Sequence, residues 1–132
     1  MGRLQPWRPL LRWGAGVAVA GLLGAGTVQA RETAPFPGAV ALAQLPVEAQ
    51  NVHRSILAGG PFRYAKDGTV FFNRERLLLV ERRGFYREYT VPTAGARDRG
   101  ARRIVCGGQQ PTAPANCYYT GDHYASFKRI TP

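Results

Sequence analysis

Apolar residues in the middle of the chain fall at two different spacings. In "LPVEAQNVHRSILAGG", Leu45, Ala49, Val52 and Ile56 recur at steps of four, three and four, which is one face of a helix. Pro46 suits the first helical turn and Gly59-Gly60 suits a stop, so a helix is predicted over residues 45–58. His53 lies beside Val52 and is expected to be half-exposed. Downstream the pattern changes to short segments separated by turn residues. Asp67-Gly68 is a turn signal, Val70–Phe72 a short strand, and Asn73 the start of a polar loop. After the apolar "LLLV" and a turn at Gly84, a strand is predicted from Tyr86 to Val91. There the period of two puts Tyr86, Glu88 and Thr90 on one face and Arg87, Tyr89 and Val91 on the other. "ARRIVC" and "ASFKRI" complete the set of strands. One helix followed by closely connected strands predicts an α+β fold, an N-terminal helix packed on a twisted antiparallel sheet.

Residues 1–44 do not fit that pattern. "MGRLQPWRPLLRW" carries Arg3, Arg8 and Arg12 and no acid, "GAGVAVAGLLGAG" follows, and Val28–Ala30 is a small-x-small cleavage pattern. This is the form of a secretory signal peptide over residues 1–30, and the apolar run is short and glycine-rich for a membrane anchor. "RETAPFPGAVALAQ", residues 31–44, has little pattern and reads as a mobile leader, which leaves residues 45–132 as the folded domain.

Charge narrows the range of partners. The chain carries +10, and losing the three leader arginines still leaves +7. A basic domain points to a polyanion, and Arg97, Arg99, Arg102 and Arg103 are bunched together rather than spread evenly. Export also bears on the two cysteines, because an oxidising compartment favours a disulfide between Cys106 and Cys117 over two buried thiols. With no Cys-x-x-Cys and no Cys/His cluster, no metal site and no cofactor is expected.

Successive strands of a meander are neighbours, so Glu88, the arginines Arg99 and Arg103, and His123 on the turn before the last strand can converge on one sheet face. RNA cleavage needs such a set. A base takes the ribose 2′-OH proton, an acid protonates the departing 5′ oxygen, and cations stabilise the charge on the phosphate oxygens. Arginine suits the last task because its planar fork donates two hydrogen bonds at once.

Four stretches, in order, carry a specific resemblance: "LPVEA", "GPFRYAKDGTVFFNRE", "GFYREYTVPTAGARDRGARRIV" and "YYTGDHYASF". From Leu45 to Ile130 the chain resembles the microbial guanyl-preferring ribonucleases, the barnase-like secreted endoribonucleases. The resemblance implies Glu88 as general base, His123 as general acid, and Arg99 and Arg103 as phosphate-binding cations. It implies Tyr124 as an aromatic lining the phosphate and base site, and Glu75 as the carboxylate that reads guanine. Asn73 and Arg74 match loop positions that offer backbone groups to guanine and cover its face, and Phe71 opens that loop. Guanine presents an N1–H and an amino group side by side, two donors for one carboxylate, on an edge that single-stranded RNA leaves open.

Phe72 departs from the pattern, standing where relatives carry a small or polar residue. Arg87 is expected to add positive charge near Glu88. Arg102 and Arg103 cannot both face the site, and Arg103 is the one expected inward. Asp122 is read as orienting a loop, and Tyr118, Tyr119 and Phe127 as packing. The expected partner is single-stranded RNA bound to a secreted monomer with no stable membrane association after signal cleavage. The resemblance also suggests a small acidic, barstar-like inhibitor protein, which a basic site would steer. The competing reading is a non-catalytic basic RNA-binding module, which has no need of Glu88 and His123 together.

Overall fold

The computed structural model describes residues 37–132, together with Gly2, Gly14 and Gly16. The chain divides into two units, Met1–Arg31 and Glu32–Pro132, and the architecture below is that of the second. The signal-peptide expectation for residues 1–30 lies outside the described residues.

The elements are β1 (Ala39–Ala41), a 3₁₀ turn (Leu42–Gln44), α1 (Val47–Ala58), β2 (Thr69–Val70), β3 (Tyr86–Thr90), β4 (Arg103–Gly107), β5 (Asn116–Thr120) and β6 (Lys128–Thr131). The sheet order is β1-β6-β5-β4-β3-β2. All pairings are antiparallel except β1 with β6, which is parallel. Among the described residues no helix is long and apolar enough to cross a membrane.

Two expectations need correction here. Residues 39–44, read as the end of a mobile leader, belong to the fold. Ala39–Ala41 pairs with Arg129–Thr131, and Val40 and Leu42 pack on the core. The second concerns β2, which stops at Val70, short of the predicted Phe72. In "LLLV", Leu78 is 2 % exposed and Leu77 packs beside it, while Leu79 and Val80 are 68 % and 69 % exposed, so the run passes from the core out to the surface.

The helix forms as its spacing predicts. Gly59 closes it at φ 81°, and the Gly60 N–H reaches back to the Ser55 carbonyl at 2.8 Å, a Schellman closure that satisfies the last turn. Leu45, Ala49 and Ile56 are buried with Tyr89, Val91, Ile104, Cys106 and Cys117, so α1 covers one face of the sheet. Burying a side chain such as Ile56 contributes about 1.5–3 kcal/mol. Cys106 and Cys117 are opposite one another on β4 and β5 and form a disulfide.

The other face is covered without a helix. Tyr86, Val105 and Tyr118 lie beneath Leu78 from the 71–85 segment and Phe127 from the 121–127 turn. Gly107 allows this covering, since a Cβ there would collide with the Phe85 and Tyr86 rings. The candidate site lies along this second face.

Candidate active site

The strand register assembles the site. Across β3, β4 and β5, Glu88 is opposite Val105 and Val105 opposite Tyr118; one step along, Thr90 is opposite Arg103 and Arg103 opposite Thr120. A polar row of Thr90, Arg103 and Thr120 therefore crosses three strands beside Glu88, on the face away from α1. These three polar residues are almost wholly buried, at 2 %, 3 % and 1 % exposure.

Arg103 faces this side, as expected. Its Nη1 donates to the carbonyls of Gly100 at 2.9 Å and Arg102 at 2.7 Å, with Arg99 further off at 3.4 Å. The guanidinium thus fixes the 99–102 loop through neutral carbonyl acceptors. Its Nε is buried with no hydrogen-bond partner. A buried cation held only by carbonyls is a strong attractor for an anion. Gly100 is needed for this arrangement, because its φ is 64° and a Cβ would lie 2.7 Å from Thr93 Oγ1.

Arg99 reaches the same row from the loop. Its Nε and Nη2 donate to Thr90 Oγ1 at 3.1 and 2.9 Å, and its guanidinium lies 5.9 Å from the Tyr64 ring centre. Asp67 holds this edge together, accepting from the Thr90 N–H at 2.7 Å and the Tyr64 N–H at 3.1 Å. Arg87 does not add charge beside Glu88. It projects from the other side of β3, where Nη1 donates to the Gly68 carbonyl at 2.8 Å, because adjacent strand residues point to opposite faces.

Tyr124 is the meeting point of the site. Its hydroxyl donates to Glu88 Oε2 at 3.0 Å. Its ring lies 5.9 Å from the Arg103 guanidinium, 5.0 Å from the His123 ring and 5.3 Å from the Phe71 ring, the last nearly parallel at 20°. Burial, reinforced by the neighbouring Glu88 carboxylate, pushes the phenol up to about 12. It remains a neutral donor over the whole ordinary pH range.

The turn that carries His123 has an unusual backbone. His123 and Tyr124 both have positive φ, 54° and 70°, a conformation that non-glycine residues rarely adopt. Surrounding bonds impose it. The His123 N–H donates to the Ala101 carbonyl at 3.0 Å, and the Tyr124 N–H donates to Thr120 Oγ1 at 3.1 Å. The Thr120 hydroxyl donates in turn to Asp122 Oδ1 at 2.9 Å, and Asp122 also accepts from the Ser126 hydroxyl and N–H. Those bonds, the Ser126 hydroxyl first, hold the Asp122 carboxyl below its usual value. Asp122 therefore ties the turn together, while the His123 side chain is exposed to solvent.

The 71–75 loop borders the cluster through Phe71. Asn73, at φ 50°, closes it: Nδ2 donates to the Leu78 carbonyl at 2.9 Å and Oδ1 accepts from the Leu78 N–H at 3.1 Å. Arg74 and Phe72 form a surface stack, with the guanidinium 5.5 Å from the ring centre. Glu75 is exposed in this loop and takes no part in the Glu88–Tyr124 contacts. Sequence reasoning did not single out Thr90, Thr120, Asp67 or Tyr64. For Thr90 a signal was present in the alternation that puts it beside Glu88.

The family model for ribonuclease matches residues 29–131. The chain belongs to the ribonuclease family. Guanyl-specific ribonuclease Sa of Kitasatospora aureofaciens is 50 % identical over 93 residues, covering 70 % of this chain and 93 % of that protein. Guanyl-specific ribonuclease St of Saccharopolyspora erythraea is 48 % identical over 89 residues, covering 67 % and 83 %. The crystal structure of ribonuclease Sa2 with guanosine-2′-cyclophosphate superposes with a TM-score of 0.65 at 42 % identity, covering 72 % of this chain and 96 % of that one. The family match thus takes in Glu88, Arg103, His123 and Tyr124.

Proposed function

We propose that the protein is an endoribonuclease that cuts single-stranded RNA, preferentially after guanosine, by metal-independent transesterification. The observation that carries this reading is the gathering of Glu88, Arg103 and His123 about the Tyr124 side chain on one sheet face. A carboxylate, a buried guanidinium and an exposed imidazole are the three components the reaction requires.

Glu88 takes the 2′-OH proton as that oxygen attacks phosphorus. With Oε2 engaged by Tyr124, the other carboxylate oxygen is the one that receives it. The P–O5′ bond breaks, and His123 delivers a proton to the leaving 5′ oxygen. Arg103 and Arg99 neutralise the charge growing on the non-bridging oxygens. The product is a 2′,3′-cyclic phosphate. For its hydrolysis to a 3′-phosphate the roles reverse: His123 deprotonates water and Glu88 returns a proton to O2′.

Guanine preference rests on Glu75 and the loop Phe71–Arg74, and on relatives that are themselves named guanyl-specific. Residues 1–30 act as an export signal, and the Cys106–Cys117 disulfide suits the compartment they lead to. The mature protein works as a monomer, and its basic face suits a small acidic inhibitor.

Product analysis on short RNAs bearing each base in turn at the cut position, with EDTA present, tests the reading. Cyclic-phosphate products after guanosine are expected. Cleavage that needs a metal would overturn the mechanism, and a Glu75→Gln variant with unchanged base preference would overturn the guanine assignment.

A further inference from the structure

Beside the 71–75 loop lies an open cavity of about 600 Å³. Four arginines line it, Arg74, Arg76, Arg82 and Arg83, with Phe72 on one wall and a single acid, Glu81. None of Glu75, Glu88, Arg99, Arg103, His123 or Tyr124 lines it. It is therefore separate from the catalytic cluster but continuous with it, because Phe71 both lines this cavity and stacks on Tyr124.

The cavity has the chemistry of a nucleotide. Phe72 is 51 % exposed, with the guanidiniums of Arg74 and Arg83 at 5.5 and 5.3 Å from its ring centre. Arg82, which also lines the cavity, lies 6.0 Å from the centre of the Phe85 ring. An exposed ring flanked by guanidinium planes is a stacking surface for a base, and the same forks donate to phosphate. Four cations against one acid favour a polyanion over a peptide or a neutral ligand.

We propose that this cavity is a second RNA subsite, which holds the nucleotide immediately 5′ of the guanosine at the cut. This rests on the ribonuclease reading. The side follows from position. Phe71 is hydrogen-bonded to Tyr86 at one end of β3 and Arg99 to Thr90 at the other, with Glu88 between them. The His123 N–H bonds to Ala101 on the Arg99 side, so the strand leaves 3′-ward past Arg99 and His123. The guanosine occupies the 71–75 loop, and its 5′ neighbour continues over Phe72 towards Arg76 and Arg83.

Comparing the cleavage of GpU, ApGpU and GpUpA tests it. In the parent protein ApGpU should exceed GpU in kcat/KM by about tenfold, the scale of one stacked base. Arg76→Gln/Arg83→Gln should remove most of that gain and leave GpU cleavage unchanged. A gain retained in the variant overturns the subsite. Equal losses on GpU and ApGpU would make the cavity part of the guanosine site, and a loss confined to GpUpA would put it on the wrong side. Binding of the uncleavable 2′-deoxy analogues, with and without the 5′ adenosine, supplies a second readout. If GpU is not cut at all, the ribonuclease reading falls, and a variant-sensitive preference for the longer deoxy analogue still decides the subsite.

Discussion

The Tyr124 hydroxyl donates a hydrogen bond to Glu88 Oε2 at 3.0 Å, linking the 121–127 turn to the middle of β3. The two residues are 36 positions apart in the sequence. Tyr124→Phe keeps the ring contacts with Phe71 and Phe127 and removes only the donor. A hydrogen bond to a charged group contributes about 1.5–3 kcal/mol, so kcat/KM should fall about tenfold or more. The melting temperature should fall by several degrees as well, since the same bond stabilises the fold while the ring packing survives. Equal activity in the two proteins on a GpN substrate would show that the hydroxyl does not position the base.

Glu88 and His123 carry the two proton transfers, each on the order of 10²–10⁴-fold in rate. Glu88→Gln and His123→Ala should each lose activity on that scale while circular dichroism stays like that of the parent. His123 is exposed and Glu88 half-buried, so neither change disturbs a core. EDTA should leave the rate unchanged. Near-normal turnover by either variant would remove that residue from its role.

Much of this was legible in the sequence because local spacing decides it. Leu45, Ala49, Val52 and Ile56 mark the helix face, and alternation alone puts Glu88 and Thr90 on one side of β3 and Tyr89 on the other. What was not legible depends on distant partners. Ala39–Ala41 becomes a strand only because β6 offers an edge some 90 residues away, with Ala39 opposite Arg129. Leu79 and Val80 are as apolar as Leu78, and which one turns inward depends on bonds from elsewhere, those of Asn73 to the Leu78 and Leu79 backbone and of the Tyr86 hydroxyl to the Leu79 carbonyl. The positive φ of His123 and Tyr124 cannot be foreseen from residues that disfavour it. The place of Arg87 was legible, by contrast, since the same alternation puts it on the Tyr89 face; expecting its charge beside Glu88 overlooked that alternation.

Asp122 offers a test of the turn itself. Its carboxylate accepts from Thr120 and Ser126, and those bonds keep it ionised below the usual value of 3.8. A carboxyl whose folded value is depressed stabilises the fold fully above its unfolded value, and the effect is lost as pH falls through the folded value. Asp122→Ala should therefore melt earlier at neutral pH and lower kcat, since His123 loses its support. The difference in melting should shrink below about pH 3.8, as the parent carboxyl also takes up a proton. A pH-independent difference would point to packing instead.

The disulfide can be removed without touching the site. Cys106 and Cys117 lie on the α1 face of the sheet, away from Glu88, and are separated by 11 residues in sequence. Closing a loop of that size contributes about 3 kcal/mol through the unfolded chain. Cys106→Ala/Cys117→Ala should lower Tm by roughly 10–20 °C. Specific activity at ambient temperature should persist. Loss of activity at a temperature where the variant is still folded would mean that the β4–β5 pairing shapes the site directly.

Alkaline pH should destabilise the fold through its buried phenols, with Tyr86 and Tyr124 raised most and Tyr89 and Tyr118 raised in the same direction. Burial first, then nearby negative or ionisable groups, raises Tyr86 and Tyr124 from 10.0 to about 12. Tyr86 lies in the second core with its hydroxyl donating to the Leu79 carbonyl at 2.7 Å, a bond the phenolate cannot make. In the unfolded chain both protons leave near pH 10, whereas in the folded chain they stay until about 12. The unfolded state therefore releases protons first, and stability that is full below pH 10 should fall between pH 10 and 12. Urea unfolding at steps across that interval reads the slope directly. Tyr86→Phe and Tyr124→Phe should each flatten part of it, the former at the loss of one hydrogen bond below pH 10, and the remaining slope belongs to Tyr89 and Tyr118, which burial also raises. A parent curve with no decline above pH 10 would mean that none of these phenols is held neutral by the fold.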